Sequence, residues 1–219
     1  VSNGRLLAST DMGTITCFAT GVVVKQESVP MEDEALAHLP VSVVPLKTEG
    51  LLSQWHFHPG LVAGAELKPL VGKHAATFSG PPRFVQLDKV YALDLNGSET
   101  GLTVQERFQD AQLPAEKLAA EAWVRMDKVQ SWGCIIGAMQ DNGSHERGWL
   151  LGVTGNRFSF AVASERDPIH MTYLPAPKPF EAGRWYHVAG SYDGLHQKLY
   201  IDGELVAESD GQQGPIAYP

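Results

Sequence analysis

Cysteine is scarce in this chain, long apolar runs are missing, and positive charge is thin and scattered. The two cysteines, Cys17 and Cys134, cannot build the dense disulfide framework that holds small secreted domains together. Each sits among apolar neighbours, so both are expected as buried free thiols, and the pair leaves the redox compartment open. The uninterrupted apolar stretches cover only a few residues, far short of the ~20 that a helical membrane span needs. Seventeen Lys and Arg stand against 25 Asp and Glu, a net charge of −8 with no basic run. A nucleic-acid partner, which requires a basic face, is therefore not expected. Charged residues make up 19% and apolar residues 43%, a balance that excludes a mainly disordered chain.

What is present is turn chemistry. The 22 glycines and 14 prolines are spread along the chain, as many short strands would require. From Leu51 onward, short runs of alternating apolar and polar residues recur: VYALDLNG, AAEAWVRM, GCIIGAMQ, GWLLGVTG, RFSFAVAS, WYHVAGSYDG and QKLYIDGELVAES. Asp-Asn-Gly at 141–143 and Asp-Gly at 193–194 and 202–203 are hairpin turns, and TGNR at 154–157 is a further turn. With almost no helical periodicity, this pattern implies an all-β antiparallel sandwich or barrel.

The first fifty residues read differently. VSNGRLLASTDMGTITCFAT places two strand-like runs around Asp11-Met12-Gly13, and it resembles one blade repeat of a pyrroloquinoline-quinone-type β-propeller. A single blade cannot bury its own faces. With Val1 already inside a predicted hairpin, the chain is expected to be a piece of a longer protein. Residues 28–50 read as a connector, with a short helix start at SVPMEDEAL, where Ser28 caps and Pro30 occupies the first turn.

Residues 51–212 resemble the laminin-G-like, concanavalin A-like jelly-roll superfamily. The resemblance is carried in order by ALDLNGSETGLTV (92–104), AAEAWVR (119–125), GWLLGVTGNRFSFAV (148–162) and RWYHVAGSYDGLHQKLYIDGELVA (184–207). It implies an antiparallel two-sheet jelly-roll sandwich over 51–219. Trp123, Trp149 and Trp185 are expected as core anchors, and His187 as a packed strand residue. After the hairpin the family continues with further strands, whereas this chain ends at GQQGPIAYP. The sandwich is thus expected to lack its last strands or to receive them from another polypeptide.

Candidate sites follow from chemistry and from the resemblance. Family glycanases carry paired carboxylates on one strand face; Glu121 stands alone on its strand and Glu32-Asp33-Glu34 is contiguous, so no catalytic residue is expected. Trp55-His56-Phe57-His58 offers two histidines but no third ligand close in sequence. Gln140, Asp141, Asn142 and Glu146 lie in one loop and could hold Ca2+, as rim loops of laminin-G-like domains do, although Asp-Asn-Gly is equally a good turn. Trp132, His145, Arg147, His170 and Tyr173 fall in predicted loops or strand ends, where they either stack on a ligand such as a sugar or pack beneath loops.

The expected function is that of a non-catalytic module, binding a glycan or a protein partner, within a larger exported protein (periplasmic, cell-surface or extracellular). The alternatives are a scaffold part completed by strands from another chain, or an accessory region of a quinoprotein-like or hydrolytic enzyme whose active site lies elsewhere.

Overall fold

The computed structural model describes residues 14–18, 50–87, 90–95, 101–104, 112–129 and 131–219. Within them the first strands are β1 (Thr14–Phe18), β2 (Leu51–His56), β3 (Val62–Ala63), β4 (Glu66–Leu67) and β5 (Ala76–Phe78). Next come β6 (Arg83–Leu87), β7 (Val90–Asp94), β8 (Leu102–Thr103), β9 (Leu118–Arg125), β10 (Trp132–Asp141) and β11 (Glu146–Thr154). The series ends with β12 (Arg157–Ser164), β13 (Asp167–Pro175), β14 (Trp185–Tyr192), β15 (Gln197–Ile201) and β16 (Glu204–Ser209). Two sheets make an antiparallel jelly-roll sandwich: six strands in the order β16-β15-β14-β9-β1-β2, and the meander β10-β11-β12-β13.

Period-two alternation determines what lies between the sheets. On β12, Phe158, Phe160 and Val162 point inward; on β11, Trp149, Leu151 and Val153 do so. They meet Leu118 and Ala120 of β9, Tyr186, Val188 and Tyr192 of β14 and Leu199 of β15. Burying each large apolar side chain contributes about 1.5–3 kcal/mol, so this cluster is the main stabilising feature. A second cluster forms around Trp55, Phe57, Leu67, Ala76 and Phe78, and Ile136 touches both.

Two of the predicted turns have left-handed backbone at both central residues, as a two-residue hairpin turn of matching twist requires. They are Gly155-Asn156 (φ 55° and 56°) and Asp202-Gly203 (φ 51° and 81°). Asp202 also ties its turn to β14, accepting from the His187 backbone N–H at 2.9 Å and pairing with Arg184 at 2.9 Å. Residues 212–218 then cross the end of the sandwich. Ala217 bonds to both Gly148 and Ala163, Ile216 N–H donates to Ala115, and the Tyr192 hydroxyl donates to Gly214.

Several expectations change. The run TITCF is β1, seated between β2 and β9, with Ile15 opposite Trp55 on one side and Ala122 on the other. A propeller blade is not supported, because this strand pairs inside the six-stranded sheet of the sandwich. Residues 1–13, 19–49 and 105–111, with the predicted turn at Asp11-Met12-Gly13, the connector and its helix start, lie outside the described residues. Of the three tryptophans, only Trp149 enters the core. Trp123 lies on the opposite face of its sheet, its ring 5.3 Å from His187, and Trp185 lies under the Arg125 guanidinium. Cys134 is a free thiol that is exposed rather than buried.

Candidate functional site

The outward face of the four-stranded sheet is paved with small residues. In register, Cys134, Gly152, Ser159 and Pro175 form one row, and Gly137, Leu150, Ala161 and Tyr173 the next. Gly152 must be small: a Cβ there would come within 2.1 Å of the Gly133 carbonyl oxygen. Leu150, Ala161, Ala163 and Met171 form a compact apolar floor, with Met139 and Tyr173 packed against it.

The walls are long side chains. Trp132, half exposed, begins β10 opposite Thr154; Asp141 ends β10 directly opposite Glu146. These four, with Tyr173, line one hollow of about 450 Å³, within the range of small-ligand sites. The register slips between Cys134 and Ile136, and such a bulge bends a strand.

The polar atoms of the hollow are already ordered. The Tyr173 hydroxyl donates to Glu146 Oε1 at 3.0 Å. Burial, then the Glu146 carboxylate it bonds, pushes the Tyr173 hydroxyl up to about 12, while a hydrogen bond with Trp132 opposes the shift. Tyr173 therefore remains a protonated donor at neutral pH, fixing the Glu146 carboxylate. The arrangement offers aromatic surface, carboxylate acceptors and one hydroxyl, and it is chemically suited to a polyhydroxylated ligand.

A laminin-G family model, described as the concanavalin A-like lectin/glucanases superfamily, matches residues 96–219. The chain belongs to the concanavalin A-like lectin/glucanase superfamily. Mouse Pappalysin-1 is 31% identical over 121 residues, which is 50% of this chain and 7% of that protein; the chain thus matches only a small part of that relative's length. Among solved structures, an S-layer domain-containing protein from Clostridium thermocellum is similar over 73% of this chain and 72% of that one, at 20% identity and a TM-score of 0.38. A putative carbohydrate binding protein from Bacteroides ovatus is similar over 96% and 64%, at 15% identity and a TM-score of 0.37.

The other candidate residues of this superfamily member are placed apart from the hollow. Arg147 alternates to the opposite face of β11 from Glu146. His170 is exposed and pairs with Asp167 at 3.0 Å. His145 closes the turn, its backbone N–H donating to Asn142 Oδ1 at 2.9 Å and its carbonyl accepting from Asn142. The loop oxygens expected to face calcium serve the same turn: Asp141 Oδ1 accepts from Gly143, and Asn142 Oδ1 from Ser144 and His145. Gln140 is exposed, opposite Arg147. Among the described residues, no group of three or more His, Cys, Asp or Glu converges as a metal-ligand set. His58 instead caps the turn at Pro59–Leu61, its Nδ1 accepting from Gly60 at 2.9 Å.

Sequence reasoning missed two features. Thr154 enters the hollow because it shares parity with Leu150 and Gly152, which the alternation of GWLLGVTG already implied. Glu121, alone on its strand in sequence, is paired in space: it is 0% exposed, with Oε2 3.2 Å from His187 Nε2 and, among the described residues, Oε1 without a hydrogen-bond partner. Burial raises the Glu121 carboxyl above its ordinary value, and the His187 bond only partly opposes this.

Proposed function

We propose that this chain is a non-catalytic carbohydrate-binding module of a larger exported protein, and that the hollow on the four-stranded sheet is its binding groove. The observation that supports this reading is the convergence of Trp132, Tyr173, Asp141, Glu146 and Thr154 on one concavity. An exposed indole offers a flat apolar face to the C–H face of a pyranose ring. Fixed carboxylates accept from sugar hydroxyls. Rigid strands hold these groups, so little ordering cost accompanies binding. Tethering such a groove to other domains raises their effective concentration at a glycan surface. Among the described residues, no helix is long and apolar enough to cross a membrane.

A glycan array probed with the 219-residue chain tests the proposal. Binding to at least one glycan is expected, reduced about five- to twelvefold by Trp132→Ala, since loss of one stacking contact of ~1–1.5 kcal/mol has that effect. No binding to any glycan, or binding indifferent to Trp132→Ala, overturns it. Release of reducing ends from a bound glycan overturns the non-catalytic part.

A further inference from the structure

We propose that this groove selects a glycan bearing a free primary ammonium, an amino sugar without its acetyl group, over neutral and anionic glycans. This rests on the carbohydrate-binding reading above and narrows it. Among the described residues, the lining contains two carboxylates and no cation. Arg147 is turned to the opposite face of β11, and the Arg157 guanidinium is spent on the Ala176 and Pro177 carbonyls.

The two carboxylates stand in direct register, Asp141 opposite Glu146 on adjacent strands. Like charges so placed repel each other. Asp141 Oδ1 is held by the Gly143 N–H and Glu146 Oε1 by the Tyr173 hydroxyl. Neither of these neutral donors cancels a charge, and no hydrogen bond between described residues engages Asp141 Oδ2 or Glu146 Oε2. Both carboxylates thus retain an acceptor for a donor that brings positive charge. An ammonium on a sugar ring supplies that charge and up to three N–H donors. Beside the carboxylates, Trp132 and Tyr173 add π-faces that attract a cation as well as stack a ring. A sulfated or carboxylated glycan meets charge of its own sign, within a chain of net charge −8. A lysine side chain has the same ammonium but lacks the flat ring that the exposed Trp132 face accommodates.

The test is a titration of the 219-residue chain, followed by Trp fluorescence and calorimetry, below the pKa of the amine. The probes are a glucosamine tetrasaccharide, its fully N-acetylated counterpart, a glucose tetrasaccharide, a sulfated tetrasaccharide and a lysine-rich peptide. The free-amine tetrasaccharide is expected to bind about tenfold or more tighter than the acetylated one, as a charge-assisted bond at a carboxylate provides. Glu146→Gln and Asp141→Asn, each checked for an unchanged melting profile, are expected to weaken the free-amine ligand more than the acetylated one and so to remove most of that preference. Raised salt is expected to weaken only the amine ligand. Equal affinity for amine and acetylated forms, or preference for the sulfated one, overturns the ammonium selection and leaves carbohydrate binding standing. Binding of the peptide with none of the glycans overturns both.

Discussion

Gly190→Ala is the most demanding test of the packing described here. Gly190 lies mid-strand on β14, and its missing side chain is where the Phe160 ring lies from the facing sheet. A Cβ there would come 2.3 Å from Phe160 Cδ2, 2.5 Å from Cγ and 2.8 Å from Cε2. Ordinary carbon–carbon contact is ~3.5–4.0 Å, so the ring must retreat by about 1 Å. It has nowhere to go. Phe160 is 0% exposed, and its carbonyl is held by Gln197 Nε2 at 2.6 Å. Overpacking of this kind costs about 1–3 kcal/mol, against which alanine returns about 0.5 kcal/mol over glycine in a strand. A net loss of roughly 0.5–2.5 kcal/mol follows, or about 1–10 °C in Tm for a chain of this size. Urea unfolding of the single variants Gly190→Ala and Phe160→Leu and of the double variant measures it. The smaller Leu side chain makes room for the methyl, so the double variant is expected to be at least ~1 kcal/mol more stable than the sum of the singles implies. Strict additivity, or a Gly190→Ala cost below ~0.5 kcal/mol, refutes the argument.

Three further predictions follow from buried polar groups and the turn. Because burial raises Glu121 in the folded state, its contribution to stability is present below its unfolded value, near 4.5, and is lost as pH rises through the folded one. Glu121→Gln is therefore expected to flatten the pH–stability profile above about pH 4.5 and to stabilise the chain at neutral pH by about 1–3 kcal/mol; an unchanged profile in thermal scans refutes this. Gln212 accepts from the Ser164 N–H and hydroxyl and donates to the His170 carbonyl and the Thr172 hydroxyl. Gln212→Leu removes all four bonds at once, although the Ser164 hydroxyl keeps its bonds with the Gln213 backbone, with an expected loss of about 2–4 kcal/mol in denaturant unfolding, and a loss under ~1 kcal/mol contradicts the network. Millimolar calcium is expected to shift Tm by less than about 1 °C, since a native-state ligand must raise it and the loop oxygens of Asp141 and Asn142 already close their turn; a rise of several degrees reinstates a calcium site.

How much of this was readable in the sequence depended on where the determining contacts lie along the chain. Strands such as RFSFAVAS and KLYI are fixed by alternation and by the Asp-Gly or Gly-Asn turns beside them, all within a few residues, and they form where expected. β13, DPIHMTYLP, carries a proline near each end and polar residues between, so it does not declare itself as a strand; pairing with β12 makes it one. His170 and Tyr173 are therefore expected from sequence in loops or strand ends, whereas both lie within β13. The buried Glu121–His187 contact spans 66 positions and the Tyr173–Glu146 bond 27. No local pattern reports on pairings of that range.

The same reasoning explains why one groove looked like two unrelated sites. Trp132 and Asp141 are the first and last residues of β10; along a straight strand nine steps place them ~30 Å apart. Both side chains nonetheless line one hollow of about 450 Å³. The register slip between Cys134 and Ile136 is of the kind that bends a strand, and the glycines at 137 and 152 put no side chain on the face between. Tyr173 then extends from β13 to reach Glu146, joining the aromatic end of the hairpin to its acidic end. An exposed indole and a carboxylate turn, each ambiguous alone, become parts of one surface through the side chains that line it. The groove's chemistry, aromatic at one end and doubly acidic at the other, therefore depends on the geometry of β10 as much as on the residues it carries.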